Sequence, residues 1–334
     1  MPPLLVWLLF VTCALAILFA GTKLSVYGDV IAERTGLGRT WIGVILMASV
    51  TSLPELVTGV SSVTIYNVPD IAAGDVIGSC MFNVLILSML DVRHPVPLST
   101  RLHQGHVLSA GFGILLLGLA ALGLAAGPRM PSVGWIGLPS VAFLGVYVVS
   151  MRTLFVHERA RLADITKDKA DELSSEGLTL ARAVVRYTVY ALLLVVSASL
   201  LPGLADRIAE ITGLGHTFVG SLFVAMSTSL PEVVVSMAAV RLGAVDLAAG
   251  NLFGSNLFNV AILGVDDVFF TAGPLLASVS STHLITAATA IGMTAVAIIG
   301  MTFRAGRKRY AFSWDAIGIM GFYAAGTIMI YLMR

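Results

Sequence analysis

The sequence predicts an all-α membrane protein of ten transmembrane helices, built as two inverted five-helix repeats with helices 2, 3, 7 and 8 broken. Three observations carry that expectation. Of 334 residues, 57% are hydrophobic and only 12% are charged; soluble domains carry about 25% charged residues, so the solvent implied here is lipid. Apolar runs of spanning length recur along the chain, a bilayer core about 30 Å thick needing roughly 20 apolar residues per helix. Two stretches of the chain also repeat each other.

Taken in order, the apolar runs fall at 3–22, 40–66, 69–90, 105–126, 132–151, 184–203, 215–241, 246–265, 277–302 and 313–332. Their ends carry turn residues, as in Asn67-Val68-Pro69-Asp70, Gly127-Pro128 and Ala272-Gly273-Pro274. The first run ends in small residues, as a signal peptide does. No Lys or Arg precedes it, so a retained helix is expected. The polar stretch from Arg152 to Arg186 is too short for a regulatory domain. The expected organisation is a first repeat over 1–151, a linker over 152–183 and a second repeat over 184–334. Cys13 and Cys80 lie in apolar runs and imply neither a disulfide framework nor a zinc site.

Charge sets the expected orientation. With ten spans, 17 of the 20 Lys and Arg residues fall on one side, and only Arg129, Arg207 and Arg334 on the other. The positive-inside rule makes the rich side cytoplasmic and puts both termini outside.

The repeat is the most informative feature. Residues 28–50 read GDVIAERTGLGRTWIGVILMASV and residues 205–227 read ADRIAEITGLGHTFVGSLFVAMS. Both run into Thr-Ser-Leu-Pro-Glu, at Thr51–Glu55 and Thr228–Glu232, an offset of 177. Asp70–Asn83 then matches Asp246–Asn259 at an offset of 176. An odd number of spans per copy turns the second copy upside down, and inverted repeats place their binding site near the midplane, on broken helices.

The motif itself points to a cation. Proline inside a helix removes one N–H and clashes with the carbonyl four residues back, so Pro54 is expected to free the oxygens of Val50 and Thr51, and Pro231 those of Ser227 and Thr228. Freed carbonyls, hydroxyls and a carboxylate suit a hard cation; calcium takes about six to eight oxygens. Glu55 and Glu232 lie mid-span, where an acid costs about 2.5–3.5 kcal/mol on insertion scales. A bare pair would repel and take up a proton, whereas one divalent or two monovalent cations neutralise both. The competing reading is a capping box, Ser52-x-x-Glu55 and Ser229-x-x-Glu232, in which each Glu only tidies a helix start. In the next span, Gly74, Gly78, Gly250 and Gly254 are expected to break the helix or to let helices approach closely. Ser79 with Asn83, and Ser255 with Asn259, are four apart and share a helical face. They serve either as ion contacts or as interhelical glue.

Thr-Ser-Leu-Pro-Glu followed by Gly-x-x-Gly-Ser-x-x-Phe-Asn, present twice, resembles the alpha repeats of the calcium/cation antiporter superfamily, the sodium/calcium exchangers and their prokaryotic relatives. The two alpha motifs fall at 40–90 and 215–265. The resemblance implies sodium-driven calcium export by alternating access. Carried onto this chain, calcium would use Glu55 and Glu232 with the backbone oxygens of Thr51 and Thr228. Sodium would use the same carboxylates with Thr51, Ser52, Ser79, Thr228, Ser229 and Ser255, while Asn83 and Asn259 line the centre. Spans 1 and 6 would be the sliding pair.

The first repeat departs from the family pattern, with Asp75 and Cys80 where the second has Asn251 and Asn256. Asp75 is an accessory ligand candidate that alters sodium stoichiometry or admits proton coupling, or else a partner for a broken helix end. Asn259, where potassium-dependent relatives tend to carry Asp, argues against potassium coupling. The alternative function is a proton-coupled or broader-specificity divalent-cation antiporter. No nucleophile–base pair or metal-binding His motif appears inside a span, so an enzyme is not expected. The expected partners are calcium and sodium ions and the lipid bilayer, with no resident cofactor, no nucleic acid and a monomeric working unit. The expected location is the cytoplasmic membrane. His94, His103, His106, His157 and His216 read as solvated loop residues, Asp266 and Asp267 as interfacial, and Arg304–Arg309 as an anchor to anionic lipid.

Overall fold

A computed structural model describes residues 1–35, 50–93, 96–165 and 179–334. The start of the second expected span, residues 40–49, lies outside the described residues, as do His94 and residues 166–178 of the polar linker. The helices are α1 (Pro3–Thr35), α2 (Leu53–Ser61), α3 (Pro69–Leu90), α4 (Gly105–Ala126), α5 (Leu138–Ile165) and α6 (Leu180–Thr212). They continue as α7 (His216–Thr228, π-helical over Val219–Val224), α8 (Leu230–Arg241), α9 (Val245–Phe269), α10 (His283–Phe303) and α11 (Trp314–Leu332). Among the described residues, eight helices are long and apolar enough to cross a bilayer, or nine when α7 and α8 count as one span bent by 45°.

Local chemistry explains several boundaries. Pro69, Pro54 and Pro231 sit in the first turns of α3, α2 and α8, where a missing N–H costs nothing. Asn67 adopts φ 53°, and Gly213 follows α6 at φ 67°, left-handed positions that end a helical run. The chain between α4 and α5 is a two-stranded ribbon, Ser132–Val133 against Ile136–Gly137, so the fifth span starts at Leu138 rather than 132. The ninth starts at His283 rather than 277, after a short helical turn at Leu275–Ser278. α1 and α6 overrun their expected ends to Thr35 and Thr212.

The expected breaks in the third and eighth spans are absent. α3 and α9 run unbroken through Gly74, Gly78, Gly250 and Gly254. Unlike proline, glycine keeps its N–H, so the hydrogen-bond ladder survives; what it permits is close approach. A Cβ on Gly74 would lie 2.9 Å from the Ser221 nitrogen, and one on Gly78 would lie 2.6 Å from Ser221 Cα. The π-helical part of α7 therefore presses its backbone directly on α3.

Two apolar clusters divide the interior. One joins α3, α4, α9 and α10. The other joins α1 and α6 along their length, with Ile71, Val219 and Val224. Of the apolar windows, 89% of α3 and 72% of α9 are buried, against 17% of α5. α3 and α9 thus form the centre, and α5 faces lipid.

Four aspartates tie the halves together in crossed pairs. Asp91, after α3, accepts from the Leu98 and Ser313 nitrogens at 2.7 Å each. Asp267, on α9, accepts from the Gly137 nitrogen at 2.7 Å and the Leu275 nitrogen at 2.5 Å. Asp70 accepts from the Ser280 nitrogen at 2.7 Å and lies 3.1 Å from His283 Nε2. Asp246 accepts from the His103 nitrogen at 2.8 Å and lies 3.0 Å from His106 Nε2. Every partner in one half stands 176 or 177 residues from its counterpart in the other. Asp70 and the end of α9 share one face of the molecule, called the Asp70 face below. Asp246 and the end of α3 share the opposite face.

These contacts correct three expectations. Asp266 and Asp267 are buried, not interfacial. His106 and His216 are not free loop residues, since His216 Nε2 lies 2.8 Å from Asp206. Lys308 is withdrawn from the basic cluster: its Nζ pairs with Asp91 Oδ2 at 2.8 Å, both side chains being nearly inaccessible.

Candidate cation-binding site

The site forms where the two Thr-Ser-Leu-Pro-Glu segments meet α3 and α9. Each segment interrupts its helix at the serine, Ser52 before α2 and Ser229 between α7 and α8. The proline next to it starts a new helix, so the glutamate occupies a first turn with its carboxylate directed inward. Thr51, Ser52, Glu55, Asp75, Ser79, Asn83, Thr228, Ser229, Glu232, Ser255 and Asn259 are all buried.

The hydrogen bonds cross between repeats. Ser52 Oγ donates to Glu232 Oε1 at 3.2 Å, and Ser229 Oγ donates to Glu55 Oε1 at 2.9 Å. Each carboxylate oxygen also receives the serine of its own repeat, Ser79 to Glu55 Oε1 at 3.4 Å and Ser255 to Glu232 Oε1 at 3.3 Å. Ser229 Oγ lies 2.9 Å from Ser79 Oγ. Neither Ser52 nor Ser229 makes a side-chain cap bond to its own helix. The capping-box reading fails for these serines, because their hydroxyls serve the opposite glutamate.

The threonines extend the same plan. Thr228 Oγ1 donates to Asp75 Oδ1 at 2.7 Å. Thr51 Oγ1 lies 3.4 Å from Asn251 Oδ1 and 3.4 Å from Ser255 Oγ. Asp75 thus holds the position that Asn251 holds in the other half, and its partner is the hydroxyl of the last residue of α7, at the helix break. Between the two shells, Asn83 Nδ2 donates to Asn256 Oδ1 at 2.9 Å, and Asn256 Nδ2 donates to the Cys80 carbonyl at 3.2 Å. Sequence reasoning named Asn256 only as a departure from Cys80; its bond to Asn83 across the central helix pair was visible only in space.

Buried polar atoms are normally paired, and here a set of them is not. Glu55 Oε2, Glu232 Oε2, Asp75 Oδ2, Asn83 Oδ1 and both amide atoms of Asn259 have no partner. Carboxylates and amide oxygens left open in this way are hard ligands, matched to sodium or calcium rather than to a soft metal. Among the described residues no cluster of three or more His, Cys, Asp or Glu has the makings of a resident metal centre. The donors are chiefly hydroxyls and amides around the carboxylates of Glu55, Glu232 and Asp75, an arrangement suited to ions that come and go.

A helical membrane fold with such a buried oxygen cage defines a cation transporter. Residues 5–156 and 183–332 match the family described as sodium/calcium exchanger protein, and the chain belongs to that family. It is a secondary active antiporter, not an enzyme. An uncharacterized membrane protein of Methanocaldococcus jannaschii is 26% identical over 229 residues, 68% of this chain and 70% of that one. The fold superposes on a structure of the sodium-calcium exchanger NCX_Mj with a TM-score of 0.61, at 21% identity, over 98% of each chain. It superposes on an H+/Ca2+ exchanger, CAX, with a TM-score of 0.71, at 14% identity, over 98% of this chain and 85% of the other. The fold is common to both exchangers and does not by itself choose a coupling ion.

Proposed function

We propose that this protein lets sodium in and moves calcium out, by alternating access at one site shared between the two repeats. The observation that carries this reading is the crossed pair of carboxylate shells. Glu55 and Glu232 each accept from a serine of the opposite repeat, and each leaves its second oxygen open. Calcium is held by Glu55 and Glu232 with the backbone oxygens of Thr51 and Thr228. Sodium uses the same carboxylates with Thr51, Ser52, Ser79, Thr228, Ser229 and Ser255, and Asn83 and Asn259 line the centre. Two carboxylates are neutralised by one divalent or two monovalent ions, so the two cargoes compete, and competition gives exchange rather than co-transport.

The architecture that goes with this function is ten spans in two inverted repeats, 1–151 and 184–334, joined by the 152–183 linker. The crossed aspartate contacts on opposite faces support the inversion. The separate apolar cluster of α1 and α6 supports their role as the element that slides across the site. The basic side is cytoplasmic and both termini are extracytoplasmic, in a cytoplasmic membrane, with the monomer as the working unit.

A proton-coupled or broader-specificity divalent antiporter is the second reading, and one observation favours it: Asp75 adds a third carboxylate beside Thr228. Calcium-45 uptake into proteoliposomes under imposed sodium, potassium or pH gradients separates the two. Uptake driven by an outward sodium gradient supports the first reading. Uptake that ignores sodium and follows a proton gradient supports the second.

A further inference from the structure

Asp266 is a buried acid that the exchange chemistry above does not use. It is fully inaccessible, and neither carboxylate oxygen has a hydrogen-bond partner. Its neighbour Asp267 is also buried, but both oxygens of that carboxylate accept backbone amides. Asp266 instead lies against Gly59 on α2: a Cβ added there would stand 2.6 Å from Asp266 Oδ1 and 2.8 Å from its Cγ. The repeat counterpart of Gly59 is Ser236 and that of Asp266 is Leu90. The first half therefore lacks a side chain at the one place where the second half supplies a carboxylate.

The position lies on the Asp70 side of the site. Gly59 is one turn beyond Glu55 on α2, and Asp266 is two turns beyond Asn259 on α9, both on the site-facing side of their helices. The acid stands roughly 10 Å from the level of Asn259 along the helix, toward the Asp70 face. Glu55 on α2, Asp75 on α3 and Asp267 on α9 are the titratable groups around it, and Asp75 interacts with it electrostatically. The remaining described titratable groups on elements packed against α9 are Asp70 and Cys80 on α3, Tyr66 just after α2, Glu232 and Arg241 on α8, His106 on α4, and Tyr147, Arg152 and His157 on α5. Asp70 pairs with His283, Tyr66 lies against Gly203 of α6, and Tyr147 packs on Phe258. Cys80 and Glu232 belong to the centre, and Arg241, His106, Arg152 and His157 belong to the Asp246 half. Among the described residues, no cation pairs with Asp266.

We propose that Asp266 is a proton-binding site on the cation route from the Asp70 face, and that its proton controls entry to the exchange site. While the route between α2 and α9 is dry, the acid is neutral, because an unpaired buried carboxylate is unfavourable. When water fills the route, the carboxyl releases its proton to that water and the resulting anion draws cations toward Glu55. Raising the pH on the Asp70 face therefore speeds entry. This rests on the exchanger reading, and its test has one arm that does not.

The first arm measures calcium-45 uptake into oriented proteoliposomes while pH is varied on one face at a time. Wild-type uptake is expected to rise about tenfold with pH on the Asp70 face. Asp266→Asn is expected to hold the low-pH rate at every pH on that face, and to respond like wild type to pH on the other. An unchanged profile in Asp266→Asn overturns the proposal. The second arm is infrared spectroscopy of the detergent-purified protein near neutral pH. A protonated carboxyl band in the difference spectrum of wild type minus Asp266→Asn supports the assignment; a difference spectrum without one overturns it. Asp266→Leu, which installs the residue of the other repeat, gives the same readouts if the Asn variant does not fold. A wild type that exchanges nothing refutes the exchanger reading and leaves the infrared arm to judge Asp266.

Discussion

On one side of the site the Thr228 hydroxyl donates to a carboxylate, Asp75, at 2.7 Å; on the other the Thr51 hydroxyl reaches an amide oxygen, Asn251, at 3.4 Å. The serine–glutamate bonds around them are nearly the same in both halves. The comparison teaches that duplication preserved the carboxylate shells, which need both repeats at once, while the flanking positions diverged. Asp75 and Asp266 have no acidic counterpart in the other repeat and lie toward the Asp70 face; Asp315, which also has none, lies beside Asp91 on the opposite face.

The largest effect should come from breaking what the halves share. Glu55→Gln and Glu232→Gln each remove a unit charge from the cation's contacts, and each should lower calcium-45 exchange by about 100-fold or more. Unchanged elution by size exclusion would show that the variants still fold. Transport retained in either one would make that glutamate structural only.

Next comes a difference between the aspartate clamps. Asp91 has buried Lys308 in addition to its two amides, whereas Asp267 is held by amides alone. Lys308→Met leaves Asp91 buried and uncompensated, and should destabilise the protein by about 3–5 kcal/mol. Thermal unfolding in detergent checks this, and a melting temperature unchanged from wild type would show that the pair contributes nothing.

The crossed serines rank third. Ser229→Ala and Ser52→Ala each delete a hydrogen bond to a charged group, worth about 1.5–3 kcal/mol. Calcium affinity should weaken more for Ser229, whose bond is the shorter, as a binding titration would resolve. Equal losses would erase the difference between the halves at this position. The smallest effect is expected from Asp75→Asn, which copies the second repeat into the first. Calcium affinity should change by about threefold or less, since Thr228 keeps an acceptor, while the sodium concentration for half-maximal exchange shifts. An unshifted sodium dependence would remove Asp75 from the coupling chemistry.

Much of this was legible in the sequence because it depends on local chemistry. Proline has no N–H to donate, so at 54 and 231 it frees a carbonyl four residues back whatever packs around it, and α3 and α4 begin and end where the turn residues put them. The glycines were misread because a glycine's effect depends on its neighbour: with the Ser221 backbone against Gly78, the helix stays whole and the contact becomes the purpose. Asp266 and Asp267 were misread for a similar reason. Two acids at the end of an apolar run look interfacial until the chain around them is known to fold over and bury them.

By itself, the sequence determined that this is a duplicated helical membrane protein with one interrupted helix and one buried glutamate in each half. Hydropathy, proline and repetition act along the chain and need no partner. Only the tertiary structure decided that Ser52 serves Glu232 and Ser229 serves Glu55, that Asp75 faces Thr228, and that Asp266 stands unpartnered above the site. Those contacts join residues well over a hundred positions apart, with no local periodicity to announce them. They exist because packing α3 against α9 brings the two copies face to face around a common centre.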